Sequence, residues 1–318
     1  MTRLTYGESR IDLKPGETAL EALERVGLDA PSSCRAGQCQ TCLHRALEGK
    51  PPADAQEGLT PGQKAAGYFL ACICVPTDDL VIVRPAEAGL QVEAEVRAID
   101  ELAPDIIRLR LAAERFDYRP GQFLELIAED ELRRHYSLAS HPDEDDFLEL
   151  HIRLHENGRM SRLLRNDIVT GRRLRIAGPA GTCFYEGVDA DQPMTLIGAG
   201  TGLAPLFGVL RDALSRGHRG PIRLYHGARN TSGLYLREEL QALAERLSRF
   251  DYRPSALDPS APLGGDVSAL ALSEQTNFSE TAFFLCGGEN LVNRLKRDIF
   301  LRGASLNQIR SDAFIPAI

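Results

Sequence analysis

A chain of 318 residues has the length for two or three domains, and its net charge of −8 argues against nucleic acid as the main partner. The most apolar stretch, Leu196 to Leu210, is broken by glycines and Pro205 and is too short to span a bilayer. No basic region, apolar run and cleavage site occur together near the start, so no signal peptide is expected, and an odd count of seven cysteines fits a reducing cytoplasm better than a disulfide framework.

Residues 1 to about 86 read as a small α+β unit. Two short strands, near Leu4–Tyr6 and Ile11–Leu13, flank a turn at Gly7. Thr18 and Glu21 form a T-x-x-E capping box for a helix whose apolar face is Leu20, Leu23 and Val26, and Gly27 stops it. Then Cys34, Cys39 and Cys42 follow at C-x4-C-x2-C, with Cys72 after a gap of 29 residues. This is the spacing of a plant-type 2Fe–2S site, in which four thiolates must reach two irons from a curled loop and a distant segment. Small Ala36 and Gly37 let backbone N–H groups approach the sulfurs. Paired C-x2-C knuckles, which a structural zinc prefers, are missing. Cys74 would share a strand face with Cys72 and compete as the fourth ligand; spacing favours Cys72. Leu80–Val83 reads as a closing strand, and Pro85 to Gly89 as a linker.

From Gln91 the pattern alternates: Val92, Ala94 and Val96, then Ile107, Leu109 and Leu111. Pro120-Gly121 turns into a further strand, Gln122–Ile127. Closely spaced strands with turn signals suggest a small antiparallel barrel. Within it lies Arg134-His-Tyr136-Ser137, and later Gly158-Arg-Met160-Ser161 opens a helical pattern through Leu163, Leu164 and Ile168. A serine at a helix start beside a glycine is either an N-cap or part of an anion site.

From Pro193 the chain becomes α/β. The run Met194–Ile197 suits a buried parallel strand and ends in Gly198-Ala-Gly200-Thr201-Gly202-Leu-Ala-Pro205, before a helix Leu206–Leu214. Glycines between a strand end and a helix start let backbone come close to phosphates. The spacing is G-x-G-x-G, without the acidic residue of the dinucleotide fingerprint. Strand Ile222–Tyr225 with helix Tyr235–Leu247, and strand Ala282–Leu285 with helix Leu291–Leu301, complete a parallel sheet with crossovers.

These motifs carry a resemblance over nearly the whole chain. The cysteine loop and the Gly67-Tyr-x-Leu-x-Cys72 entry resemble the plant-type ferredoxin domain, with Gln40 standing where that family more often has a small residue. Arg134-x-Tyr136-Ser137 with Gly158-x-x-Ser161 resembles the flavin domain of the ferredoxin–NADP reductase superfamily, and Gly178-Pro-Ala-Gly181 resembles its exit loop. Gly200-Thr-Gly-Leu-Ala-Pro, Gly227-Ala-Arg229 and Cys286-Gly287-Gly resemble its nicotinamide domain. The order, with the ending Asp312-Ala-Phe314-Ile-Pro316, is similar to the reductase components of aromatic-ring dioxygenases.

The resemblance implies a multidomain fold: an α+β ferredoxin domain at 1–87, an antiparallel β-barrel flavin domain at 88–190 and an α/β parallel-sheet nicotinamide domain at 191–318. It implies a 2Fe–2S cluster on Cys34, Cys39, Cys42 and Cys72, FAD, and NADH with NADPH tolerated. Arg134 would pair with the flavin phosphate, Tyr136 would lie against the flavin, and Ser137 would hydrogen-bond near flavin N5. Gly158, Met160 and Ser161 would hold the pyrophosphate, and His151, Ile152 and Arg153 would line the same site. Gly200, Thr201, Gly202 and Arg229 would hold the nicotinamide cofactor, with Cys286 and Gly287 beside the nicotinamide. Phe314 would lie near the flavin face, or anchor the tail by its apolar ring; Cys286 could equally be an inert strand end, and Cys183 reads as core.

Nicotinamide gives two electrons as hydride, a 2Fe–2S cluster accepts one, and a flavin converts between them. The expected activity is NAD(P)H-dependent electron transfer to an oxygenase component, with the cluster-loop rim at Arg35 and Gln38 as the docking face for a small, transient contact. Other readings are the same chain serving a di-iron monooxygenase or a deoxysugar dehydratase, or a redox-sensing module that turns over poorly.

Overall fold

The computed structural model describes residues 2–28, 30–32, 35–37, 40–59, 61–84, 91–114, 116–128, 132–258 and 264–314. Two units divide the chain, one formed by 1–91 with 176–181 and the other by 92–175 with 182–318. The expected linker, Pro85 to Gly89, lies outside the described residues.

In the first unit, the capping box forms as read: Glu21 N donates to Thr18 Oγ1 at 3.2 Å and Thr18 N to Glu21 Oε2 at 2.9 Å. It starts helix α1, Ala19–Arg25, which buries Leu20 and Leu23. Val26 does not join that face. It stands one residue past the helix end and 45% exposed, because Gly27 at φ +75° has already turned the chain. Around the helix lie β1 (Arg3–Tyr6), β2 (Ser9–Asp12), β3 (Leu43–Glu48), the short helix α2 (Pro61–Ala65), β4 (Tyr68–Leu70) and β5 (Leu80–Val83). They form one sheet in the order β2-β1-β5-β3-β4, with β1 and β5 parallel.

The second unit opens with alternating strands. β6 (Gln91–Ala103) and β7 (Ile106–Ala113) pair antiparallel, followed by β8 (Phe123–Ile127), β9 (Arg133–Ser137) and β10 (Leu148–Arg153). Helix α3 (Arg159–Asn166) leads to β11 (Arg173–Ala180), and the sheet order is β10-β7-β6-β11-β8-β9. Gly178 to Ala180 end this strand rather than forming an exit loop. A bridge between Leu138, just past β9, and Leu150 on β10 joins the two ends of that order.

The α/β part runs β12 (Met194–Ala199), α4 (Leu203–Ser215), β13 (Ile222–Ala228), α5 (Arg237–Arg246), β14 (Phe250–Ala256), α6 (Val267–Glu274), β15 (Ala282–Gly288), α7 (Glu289–Leu301) and β16 (Ile309–Phe314). All five strands are parallel, in the order β14-β13-β12-β15-β16. Pro205 fits in the first turn of α4, where no intrahelical N–H is needed. Three elements of this α/β part were not legible beforehand. β14 carries Pro254 and polar residues, which an edge position tolerates. α6 starts on Asp266, whose carboxylate accepts from the Ser268 N–H at 2.7 Å. β16 turns the expected tail into the last strand. Among the described residues no helix is long and apolar enough to cross a membrane.

Candidate cluster, flavin and nicotinamide sites

Of the four cluster ligands read from sequence, Cys42 and Cys72 are described; Cys34 and Cys39, with the rim residue Gln38, lie outside the described residues. Ala71 N donates to the Cys42 carbonyl at 3.0 Å, which brings the Cys42 and Cys72 backbones side by side. Both residues are buried. Arg35 (φ +49°), Gly37 (φ +71°) and Gln40 (φ +59°) are all left-handed, the curl expected of a loop that wraps a cluster. Gln40, the departure from the family pattern, is accommodated: its side chain turns inward and donates to the Gly58 carbonyl at 3.2 Å.

The premise that Cys72 and Cys74 share a strand face is corrected. The strand ends at Leu70 and residues 71–73 form a turn, so period-two alternation does not relate the two thiols. Cys74 is fully buried, and its carbonyl accepts from Ala19 N at 2.7 Å under the first turn of α1. The residues present fit a 2Fe–2S cluster, with two cysteines placed together and a loop of the right conformation leading away from them.

On β9, Arg134 and Tyr136 point to one face and Ser137 to the other. Arg134 Nη1 donates to the carbonyl of Arg133 at 2.6 Å, and Tyr136 keeps its proton because burial pushes its hydroxyl up. Helix α3 starts at Arg159 with Gly158 as N-cap and no side-chain cap. Ser161 is therefore not the cap. Its Oγ accepts from His155 N at 2.9 Å, tying the approach loop down, while Gly158 supplies no side-chain cap to the helix. Such an end suits a diphosphate. Met160 and Ile152 are buried supports.

His151 and Arg153, on β10, each have a partner in the nicotinamide part of the chain or in the loop before β7. The His151 ring is spent on Glu149 Oε1, at 3.0 Å, and on the Tyr235 hydroxyl, at 3.2 Å. Arg153 pairs with Asp105 at 2.9 Å, and a Cβ added at Gly200 (φ +57°) would stand 3.0 Å from its Nη2.

The glycine-rich turn Gly200–Gly202 joins β12 to α4. A Cβ at Gly202 would overlap the Cys286 carbonyl oxygen, so glycine is what lets the turn lie on the end of β15. Thr201 is half-buried and Gly287 buried at φ +139°. Cys286 is fully buried with its Sγ 3.4 Å from that of Cys183, and burial pushes its thiol well up. Cys183 is core, as read, but it is also the neighbour of Cys286. Phe314 is half-buried opposite Gly288. Arg229 is exposed just past β13, and its carbonyl accepts from Asp258 N at 3.0 Å.

Asp312 was missed as a site residue. It lies opposite Cys286 in the β15–β16 register, and its Oδ2 accepts from Ser137 Oγ at 3.0 Å. Burial pushes its carboxyl up to about 6, with the Ser137 hydrogen bond pulling the other way. The sequence signal was there in the tail motif, but without β16 nothing aimed the side chain inward. Ser137, Asp312, Cys286 and Gly202 thus converge at the carboxyl ends of β12 and β15, where open α/β sheets bind ligands.

This constellation defines a flavin- and nicotinamide-handling electron-transfer protein. Three family models match in order: a 2Fe-2S iron-sulfur cluster binding domain over residues 5–77, an oxidoreductase FAD-binding domain over 93–185 and an oxidoreductase NAD-binding domain over 196–297. The chain is 33% identical to the reductase subunit of an aromatic O-demethylase of Amycolatopsis sp., covering 99% of this chain and 98% of that one. It is 32% identical to the reductase component of the naphthalene 1,2-dioxygenase/salicylate 5-hydroxylase systems of Ralstonia sp., over 96% of both. The crystal structure of an Amycolatopsis cytochrome P450 reductase superposes with a TM-score of 0.71 at 32% identity over 99% of both chains. The chain belongs to the family of three-domain ferredoxin-type NAD(P)H reductases with 2Fe–2S, FAD-binding and NAD-binding domains.

Proposed function

We propose that this protein takes hydride from NADH and delivers single electrons to the oxygenase component of a system that attacks aromatic compounds, an aromatic-ring dioxygenase first. The observation that carries it is the meeting of Ser137, from the flavin sheet, with Asp312 opposite Cys286, at the strand ends where the glycine-rich turn sits. When bound, FAD accepts a hydride's electron pair and releases electrons singly, which the one-electron cluster requires.

The roles follow residue by residue. Cys34, Cys39, Cys42 and Cys72 hold the cluster. Arg134 and the start of α3 at Gly158–Ser161 hold the FAD phosphates, and Tyr136 covers the flavin. Ser137 gives its proton to Asp312 and so turns the lone pairs of its Oγ towards the flavin edge, where they can accept an N–H. Gly200, Thr201, Gly202 and Arg229 hold the nicotinamide cofactor; Cys286 and Gly287 border the nicotinamide, and Phe314 screens the flavin face. The domains are taken as 1–87, 88–190 and 191–318. The flavin sheet is taken as a small barrel, a reading supported by the Leu138–Leu150 bridge between its end strands. The protein is taken as cytoplasmic, a reading supported by the need of thiolate ligands for a reducing compartment.

A second acceptor class has its own support. Identity to the aromatic O-demethylase reductase subunit, 33%, and to the Amycolatopsis cytochrome P450 reductase, 32%, is on a par with the 32% to the naphthalene system component. A haem monooxygenase is therefore the other acceptor to try. The test is anaerobic reduction by NADH, followed by mixing with each acceptor class. Bleaching of flavin and cluster absorbance, then reoxidation at several turnovers per second by one acceptor, is the expected result. Failure of NADH to bleach the flavin would overturn the reading.

A further inference from the structure

Glu149, His151 and Tyr235 form a buried chain between the flavin sheet and the nicotinamide domain. Arg110 Nε donates to Glu149 Oε2 at 3.0 Å, and His151 Nε2 lies 3.0 Å from Glu149 Oε1. Burial pushes the Glu149 carboxyl up, but the His151 and Arg110 hydrogen bonds win and hold it at about 2, so it is ionised. A carboxylate only accepts, so Nε2 carries the proton. Burial also lowers His151 and raises Tyr235 well up, which keeps the ring neutral and the phenol protonated. Nδ1 then accepts from the Tyr235 hydroxyl at 3.2 Å. The hydrogen bonds therefore run in one direction, from Tyr235 through His151 to Glu149.

What this chain anchors is a turn. Residues Thr231–Gly233 form a tight turn between exposed Arg229 and buried Tyr235, closed by Asn230 Oδ1 accepting from Gly233 N at 3.1 Å. Leu236, next in sequence, is left-handed at φ +54°, a conformation a leucine keeps only when its surroundings impose it. The Tyr235 ring packs edge-on to His151 and His226, with centroids 5.2 and 5.5 Å apart. Its hydroxyl fastens the turn to β10, the strand that also carries Arg153 over Gly200.

We propose that Tyr235, held by His151 and Glu149, is a positioning residue for the nicotinamide cofactor: it fixes the turn at 230–233 in register with the flavin sheet. The inference rests on the NADH reading above. A turn released from this anchor populates its binding-competent position only part of the time, which weakens binding by that fraction and leaves the bound complex unchanged.

The experiment is steady-state NADH:ferricyanide kinetics on holoenzyme of wild type, Tyr235→Phe, His151→Phe, the double variant and His151→Gln, with FAD occupancy checked for each. Tyr235→Phe and His151→Phe should each raise the KM for NADH about three- to tenfold with kcat within about twofold. The double variant should be no worse than the weaker single. His151→Gln should recover most of the affinity, because an amide can donate to Glu149 and accept from Tyr235. A lowered melting temperature with an unchanged KM, or a fall in kcat at unchanged KM, would overturn the role. Tyr235→Phe retains the ring, so it tests the idea even if His151→Phe fails to fold. Wild type without NADH turnover would defeat the functional reading instead, a separate outcome.

Discussion

The Ser137 hydroxyl donates to Asp312 Oδ2 at 3.0 Å across 175 residues of sequence, tying the strand that carries Arg134 and Tyr136 to the last strand of the chain. The bond is buried on both sides, and it closes the flavin sheet onto the end of the nicotinamide sheet. It also makes Asp312 a group with a measurable cost.

Burial lifts Asp312 from 3.8 to about 6. Its contribution to stability is thus complete below the unfolded value and is lost as pH rises through 6, because the folded chain must then hold a buried anion. Asp312→Asn removes that loss while leaving an acceptor for Ser137. The stability gap in favour of the variant should widen between pH 5 and pH 8 by on the order of 1 kcal/mol. Thermal unfolding of both holoenzymes at the two pH values reads it, and a gap independent of pH would refute the assignment.

Cys72→Ser should leave FAD bound and ferricyanide reduction largely intact while abolishing transfer to cytochrome c, since a small dye draws electrons from the flavin directly. Cys74→Ser should keep the 2Fe–2S signal in electron paramagnetic resonance, because its carbonyl is tied beneath α1 and its thiol lies in the core. Loss of the signal in Cys74→Ser and not in Cys72→Ser would reverse the ligand choice.

Arg134→Ala should weaken FAD retention by on the order of 1.5–3 kcal/mol, the value of a charge-assisted contact to phosphate. The neighbouring Arg133 is the control: it pairs with Glu125 at 3.2 Å, so Arg133→Ala should lose stability and keep flavin affinity. Full FAD occupancy with unchanged affinity in Arg134→Ala, measured by flavin fluorescence on dilution, would sink the phosphate role.

Local chemistry made much of the molecule readable from sequence. The Thr18–Glu21 box, the glycine turn at 200–202 and the run at Met194 each carry their structural cause within a few residues. What escaped depends on partners far along the chain. Asp312 matters because of Ser137, and the His151 ring is held by Tyr235, 84 residues away. Ser161, which the sequence left open between a cap and part of an anion site, is not the cap and accepts from His155, an arrangement set by the approach loop rather than by helix propensity. β14 was hidden by Pro254, which only an edge strand could hold.

That missed strand bears on which nicotinamide cofactor is used. A carboxylate accepts from the adenosine ribose hydroxyls of NADH, whereas a cation suits the 2′-phosphate of NADPH. The segment from Gly227 to Tyr235 has no Asp or Glu, and its exposed Arg229 and Ser232 would together admit a phosphate. β14 brings Asp258 beside Arg229, with Asp258 N donating to the Arg229 carbonyl. One cation and one carboxylate at the same end predict weak discrimination. The ratio of kcat/KM for NADH over NADPH should lie within roughly a hundredfold of unity, under about 2.7 kcal/mol. Ser232 Oγ now donates to Asn230 Oδ1 at 3.0 Å, so Ser232→Asp would place a charge at the turn's exposed rim. It should move the ratio towards NADH, and Asp258→Asn should move it towards NADPH. Stopped-flow flavin reduction with both cofactors decides the matter. A wild-type preference for NADH beyond a thousandfold, or no change in Ser232→Asp, would mean that the ribose is read by other residues.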